Sequence, residues 1–175
     1  MTTFYFIRHG QAEFSEANTK IYQGWGFNMI TLSPVGIAQI KDAAKDKRLA
    51  GTELIISSPY GRTMHTAAIL SKELQLDIAV ETDLHEWCAN TEYKYLSDAD
   101  ASKNYDEFTH CMGDYPNNKE REWESAGKIR ERVNTVIKKY QQYSKVIVVC
   151  HGTLMQYYLN IPHPGNGEIY EFVWQ

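Results

Sequence analysis

Apolar runs and helical stripes alternate along this chain. Phe4-Tyr5-Phe6-Ile7 is a short unbroken apolar run, and Val146-Ile147-Val148-Val149-Cys150 is a second, rich in β-branched residues. Runs of this length without polar alternation read as strands buried on both faces. Leu54-Ile55-Ile56, closed by Ser57-Ser58-Pro59, and Ile78-Ala79-Val80 are two further strands, and residues 168–174 make a closing one. Between them the period becomes helical. Ser33-Pro34 offers an N-cap and a first-position proline, and Ile37, Ile40 and Ala44 follow at helical spacing. A second helix is expected from about Gly61, with Met64, Ala67, Ala68, Ser71 and Leu74 on its inward face. Ala126, Ile129, Val133, Val136, Ile137 and Tyr140 stripe a third between Ser125 and Tyr143, and a short helix spans residues 153–159. Strands alternating with helices predict an α/β fold, a three-layer α/β/α sandwich around a mainly parallel central sheet.

Two segments depart from this rhythm. Residues 11–31 read as a loop rich in glycine, asparagine and aromatics. Residues 88–124 are polar, aromatic and weakly periodic, and hold Asp98, Asp100, Asp106, Glu107 and Asp114. They read as an excursion over the active-site edge of the sheet, built on short helices, with the acids forming a solvated face. Trp25, Phe27, Trp87, Tyr93 and Tyr95 fit a substrate-facing wall and ordinary packing equally well. With no repeat and no linker, the chain reads as a single domain, residues 1–175, with 88–124 as a variable substrate-facing insertion.

Composition narrows the partners. The formal net charge of −4 gives no global attraction to nucleic acid or to acidic membranes, so an anionic partner needs a local cationic cluster. That favours a small molecule. The 3 cysteines, Cys88, Cys111 and Cys150, show no CxxC spacing and argue against a disulfide framework or a cysteine-built zinc site. No run resembles a signal peptide or approaches the ~20 apolar residues of a membrane span, and a cytoplasmic location is the expectation.

Candidate chemistry lies at the strand ends. Ligands of open parallel sheets bind at the carboxyl ends of the strands. Arg8-His9-Gly10 ends the first strand, and His151-Gly152 ends the Val146–Cys150 run. Arg62 opens the helix after the second strand, where free N–H groups and the helix dipole favour phosphate. A neutral imidazole can attack phosphorus, two guanidiniums can hold its oxygens, and a carboxyl such as Glu86 can protonate the leaving alcohol. This scheme requires no cofactor and no metal. His65 and His85 read as structural. Cys150 should point away from His151, by strand alternation.

Four pieces in order carry a resemblance: Arg8-His9-Gly10; Ser58-Pro59-Tyr60-Gly61-Arg62-Thr63-Met64-His65-Thr66-Ala67; Leu84-His85-Glu86; and His151-Gly152. Together they resemble the histidine phosphatase superfamily, also called the phosphoglycerate mutase-like proteins. Gln23-Gly24 and the stretch from Leu32 to Gln39 look like that family's glycine-bearing loop and following helix. The resemblance implies His9 as the phosphorylated nucleophile, with Arg8, Arg62 and His151 completing a phosphate pocket and Glu86 as acid and then base. It also implies substrate contacts from Gly10, Gln11, Gln23, Gly24, Gly152 and Thr153, the two glycines beside the histidines allowing close approach of phosphate.

Ala12 and Ser15 stand where many members carry a small hydroxyl residue and an asparagine. Asn28 stands where an aspartate is common. Trp87-Cys88-Ala89-Asn90 replaces a glycine-containing stretch. The function expected is hydrolysis of a small phosphorylated metabolite. A phosphoglycerate mutase is the second reading, disfavoured because no arginine pair lies between Glu86 and Ser125. A non-catalytic phosphate-binding protein is the third.

Overall fold

The computed structural model describes residues 1–16, 26–94 and 96–175. In chain order the elements are β1 (Thr2–Arg8), α1 (Gly26–Met29), α2 (Pro34–Ala43), β2 (Leu54–Ser57), α3 (Gly61–Leu74), β3 (Ile78–Val80), α4 (Asp98–His110), α5 (Ala126–Lys138), β4 (Lys145–Cys150), α6 (Gly152–Leu159) and β5 (Ile169–Trp174). Short 3-10 turns occupy Phe14–Glu16, Lys47–Leu49, Thr82–Leu84 and Pro116–Asn118. The strands form one sheet in the order β3-β2-β4-β1-β5. All neighbours are parallel except β5, which runs antiparallel to β1.

Strand alternation sorts the apolar side chains into two cores, as the expected sandwich requires. On one face Phe4, Phe6, Ile56, Val146, Val148 and Cys150 pack with Ile129, Val133, Val136 and Ile137 of α5 and Leu154 and Met155 of α6. On the other, Tyr5, Ile7, Ile55, Ile147 and Val149 meet Ile40 of α2 and Ala67 and Leu70 of α3. Ser33 caps α2 as expected, its side chain accepting from the Gly36 N–H, with Pro34 at the first position. Ser125 caps α5 through Lys128.

The inward face of α3 differs from expectation. Arg62, Thr63, Thr66, Ala67 and Leu70 are buried, while Ala68 is exposed and Met64 only half-buried. The apolar residues alone give the wrong phase, because the helix turns two threonines inward to bond backbone groups. Thr63 Oγ1 lies 2.9 Å from the Ser58 carbonyl, and the Gly10 N–H donates to Thr66 Oγ1 at 3.2 Å. Helix α5 ends at Lys138, short of Tyr143, because the chain must turn before β4 starts at Lys145.

The segments expected to be irregular carry more structure than that. A short helix, α1, and the turn Phe14–Glu16 lie within 11–31, and Ala12 bridges Leu32. Within 88–124, α4 is a single helix of 13 residues where short ones were expected. Its only fully buried side chain is Phe108, which meets Trp87, Trp123 and Tyr157 at ring-centroid distances of 5.1, 5.5 and 4.5 Å. Trp123 is also fully buried, and its indole N–H donates to Glu107 at 2.8 Å. The segment therefore completes the core under α6. Replacing Phe108 with Ala is expected to cost about 3–5 kcal/mol. Urea unfolding checks this, and a loss under about 1 kcal/mol would show α4 to be an appendage.

Candidate active site

The site is set by strand register. In the parallel pairing of β1 with β4, Arg8 lies opposite Cys150, so the next residues, His9 and His151, emerge side by side. The His9 N–H closes this end by donating to the Cys150 carbonyl at 3.1 Å. The two imidazoles stand edge to face, 5.3 Å apart between centroids. Ser58, one residue beyond β2, places its hydroxyl 2.8 Å from His151 Nε2. Cys150 is fully buried and joins the apolar core that holds Leu84, Leu154 and Met155.

Partners define the His9 tautomer. Nδ1 lies 2.8 Å from the Gly10 carbonyl, which can only accept, so Nδ1 carries the proton. Nε2 receives the Arg62 Nε–H at 3.2 Å, so Nε2 presents a lone pair. Burial pulls the His9 pKa from 6.5 to about 3, helped by the charges of Arg62 and Arg8 and opposed by the Gly10 bond. His151 is likewise held well below its ordinary value, by burial first and then by Arg62. Its Nδ1 is buried without a hydrogen-bond partner among the described residues. Two neutral imidazoles thus face two guanidiniums.

Arg8 reaches back to the Pro164 carbonyl with one terminal nitrogen, at 2.6 Å, and its Nε is buried without a hydrogen-bond partner among the described residues. Arg62 is 8% exposed and sits 5.0 Å above the ring of Tyr60, which also meets the His151 ring at 5.1 Å. Burial opposes the charge of both arginines, and Glu86 supports it. A buried guanidinium and a half-buried one beside neutral imidazoles favour a compact anion.

Glu86 is fixed by the start of α6. Its Oε1 accepts from the backbone N–H groups of Trp87 and Leu154, both at 2.9 Å, and its Oε2 accepts from the Thr153 N–H at 3.1 Å. Oε1 is therefore filled, and Oε2 keeps one lone pair.

The structure thus brings Arg8, His9, Arg62, Glu86 and His151 to one strand edge. Several residues expected at the substrate make contacts within the protein in this structure. The Thr153 N–H is taken by Glu86. Gln11 turns to α2, its side-chain oxygen accepting from the Ser33 hydroxyl at 2.8 Å. A Cβ on Gly10 would lie 2.5 Å from the Gly36 carbonyl, so that glycine makes room for α2. A Cβ on Gly152 would lie 2.5 Å from the His163 ring and 3.2 Å from Arg8 Nε, so that glycine makes room for those side chains. Gln23, Gly24, Trp25 and Tyr95 lie outside the described residues.

Other contributors were not expected. Asn166 donates to the His9 carbonyl at 2.9 Å from the turn before β5, and nothing in the local sequence marks it. His163 packs against Gly152 and Arg8. Ser58 and Thr66 belong to the long motif but carried no assigned role.

Structural readings hold for two histidines. His65 Nδ1 accepts from the Leu32 N–H at 3.3 Å. His85 Nδ1 lies 2.7 Å from the Glu86 carbonyl. The donor atoms of His85, Cys88 and Glu124 fall within 4.8 Å of one another, a spacing that could suit a metal. Each already has other work. Glu124 takes the Arg132 guanidinium at 2.6 and 3.0 Å, His85 holds the Glu86 backbone, and burial keeps the Cys88 thiol protonated with its pKa raised to about 12.

Comparison with known proteins agrees with this geometry. The family model of the histidine phosphatase superfamily (branch 1) matches residues 4–163. A Hydrogenobacter thermophilus protein provisionally named phosphoserine phosphatase 2 is 27% identical over 157 residues, 87% of this chain and 74% of that one. A Proteus mirabilis protein provisionally named phosphoglycerate mutase is 33% identical over 86 residues, a match that spans 49% of this chain and only 38% of the relative. Among solved structures, a Bacillus anthracis phosphoglycerate mutase superposes with a TM-score of 0.72 at 17% identity, over 99% of this chain and 88% of that one. A mycobacterial glucosyl-3-phosphoglycerate phosphatase in complex with VO3 gives 0.67 at 22% identity, over 98% and 92%. At these identities the two structures speak to the fold alone. With the family model covering nearly all of the chain, this protein belongs to branch 1 of the histidine phosphatase superfamily.

Proposed function

We propose that the protein is a phosphomonoester hydrolase working through a phosphohistidine on His9. The observation that carries this is the His9 tautomer, which presents an unprotonated Nε2 beside Arg62. In the first step Nε2 attacks phosphorus and the bond from phosphorus to the ester oxygen breaks. The departing oxygen takes a proton from Glu86 Oε2, the oxygen with a free lone pair. In the second step water attacks phosphorus and gives its proton to Glu86. The N–P bond then breaks, returning the electron pair to His9 and releasing phosphate. Arg8, Arg62 and His151 face the phosphoryl oxygens and offset the charge spread over them in the transition state.

The substrate is a small phosphorylated metabolite in this reading, handled without a cofactor and in the cytoplasm. No described helix is long and apolar enough to cross a membrane. The mutase named among the relatives supports a second reading on the same scaffold. A mutase must grip a second acidic group, yet Arg121 beyond Glu86 is tied to Glu107 and Lys94 to Glu92. Interconversion of phosphoglycerate isomers with little phosphate release would favour that second reading.

Turnover of an aryl phosphate is expected to survive chelation and to vanish in His9→Ala, with an acid-labile, base-stable phosphoenzyme trapped in the wild type. Robust turnover by His9→Ala removes the nucleophile assignment. Glu86→Gln should slow alkyl phosphates by about 10²–10⁴-fold and aryl phosphates with good leaving groups far less. Equal losses on both would show that Glu86 does not protonate the leaving group.

The pH dependence follows from the depressed His9 pKa. His9 stays neutral in the free protein down to about pH 3, so its protonation sets no acid limb near 6.5. After correction for the substrate's second ionisation at about 6, kcat/KM should show no further loss at mildly acid pH. A residual limb centred on the ordinary histidine value would contradict this. Stability behaves differently. The unfolded chain takes up the His9 proton near 6.5 while the folded chain does not, so stability falls as pH drops below that value.

A further inference from the structure

A cavity of about 740 Å³ adjoins the phosphate pocket. Tyr60 lines it and also touches both Arg62 and His151. Tyr105 lines it too, and its phenol acts electrostatically on Arg8. We propose that this cavity receives the leaving group of the phosphomonoester and selects one that is flat, aromatic and free of carboxylate. The proposal rests on the phosphatase reading above.

The walls carry the argument. Trp87, Tyr60, Tyr93 and Tyr105 supply aromatic faces and Leu96 an aliphatic one. The Trp87 ring is immobilised before any ligand arrives. Its indole N–H donates to the Glu124 carbonyl at 2.8 Å, and its ring meets Tyr105 at 5.4 Å and Phe108 at 5.1 Å. A fixed aromatic wall binds a flat group with little ordering cost. Tyr93 is 66% exposed and held at φ +56°, a left-handed conformation that bulky residues avoid. Strain of that kind persists where the surroundings impose it, and here the ring leans on His85 at 5.9 Å. It leaves an aromatic face at the cavity wall. The volume matches that of pockets for ligands well beyond a few heavy atoms.

Charge supplies the second half of the selection. Asp98 and Asp106 line the cavity from one face of α4, with Ala101, Ser102 and Tyr105 between them at helical spacing. Lys94 is the one cation among the described lining residues, and it is paired with Glu92. The start of α4 is already capped by Ser97 and flanked by Asp98 and Asp100, so it offers no welcome to an anion. A carboxylate on the leaving group would meet the like charges of Asp98 and Asp106 with no free cation among the described lining residues to offset them.

Phosphonates test this without requiring turnover. Titration calorimetry compares methylphosphonate, benzylphosphonate and para-carboxybenzylphosphonate on the intact wild-type chain. The benzyl compound is expected to bind about tenfold tighter than the methyl one, and the added carboxylate to erase that gain. Trp87→Ala should bring the benzyl-to-methyl ratio close to one. Tyr93→Ala, at an exposed position, should lower the same ratio should the tryptophan variant fail to fold. The double variant Asp98→Asn, Asp106→Asn should restore affinity for the carboxylated compound. Equal binding of benzyl and methyl compounds, tighter binding of the carboxylated one, or no binding of any would overturn the proposal. Ordered phosphonate binding in a protein that hydrolyses no ester would sink the phosphatase reading and leave the cavity assignment standing. Hydrolysis without a benzyl preference would do the reverse.

Discussion

The parallel pairing of β1 with β4, in the register that sets Arg8 opposite Cys150, is what the rest of the site hangs on. Each strand contributes one histidine just past its last paired residue, and the backbone bond from His9 to Cys150 locks their separation. A shift of one position would turn both imidazoles to different depths and exchange the two cores, since side-chain direction alternates along a strand. The two apolar clusters on opposite faces therefore specify the geometry of the candidate site.

Around that register the fold assembles charges of one sign. Burying Arg62 with Arg8 half-buried nearby costs free energy that neither histidine offsets, because burial and the Arg62 charge keep both imidazoles neutral. Glu86 opposes this, held by two backbone N–H groups at the start of α6 and by that of Trp87. In the proposed reading a phosphoryl dianion offsets the remaining positive charge. In that reading a chain of net charge −4 can suit an anion because Arg62 is buried and Arg8 half-buried at one sheet edge, a local cluster that the net charge does not show.

Much of this was readable in the chain because it is local. A strand that ends in His-Gly declares where its histidine goes, and Arg62 follows from its place at a helix start. The Ser58–Ala67 motif proved to be a set of contacts, Ser58 to His151, Arg62 to His9 and Thr66 to Gly10. What escaped depends on distant parts of the chain. Nothing near Gly10 and Gly152 in sequence shows that Gly36 and His163 pack into the space beside them. Asn166 looks like any turn residue. The inward phase of α3 was hidden because threonines, counted as polar, face the core. Helix α4 was hidden because one buried phenylalanine makes no stripe.

The antiparallel β5 has a role that its place at the end of the chain conceals. It covers the outer edge of β1 from Thr2 to Ile7, and the turn leading into it carries Asn166 to the His9 carbonyl. The family match ends at residue 163, before either feature. A chain stopped there would keep every motif residue, yet β1 would become a bare sheet edge open to pairing with another molecule. The backbone of His9 would lose its tether at the same time. In this protein, the cover over the β1 edge and a tether on the candidate nucleophile come from one stretch of chain, β5 and the turn before it.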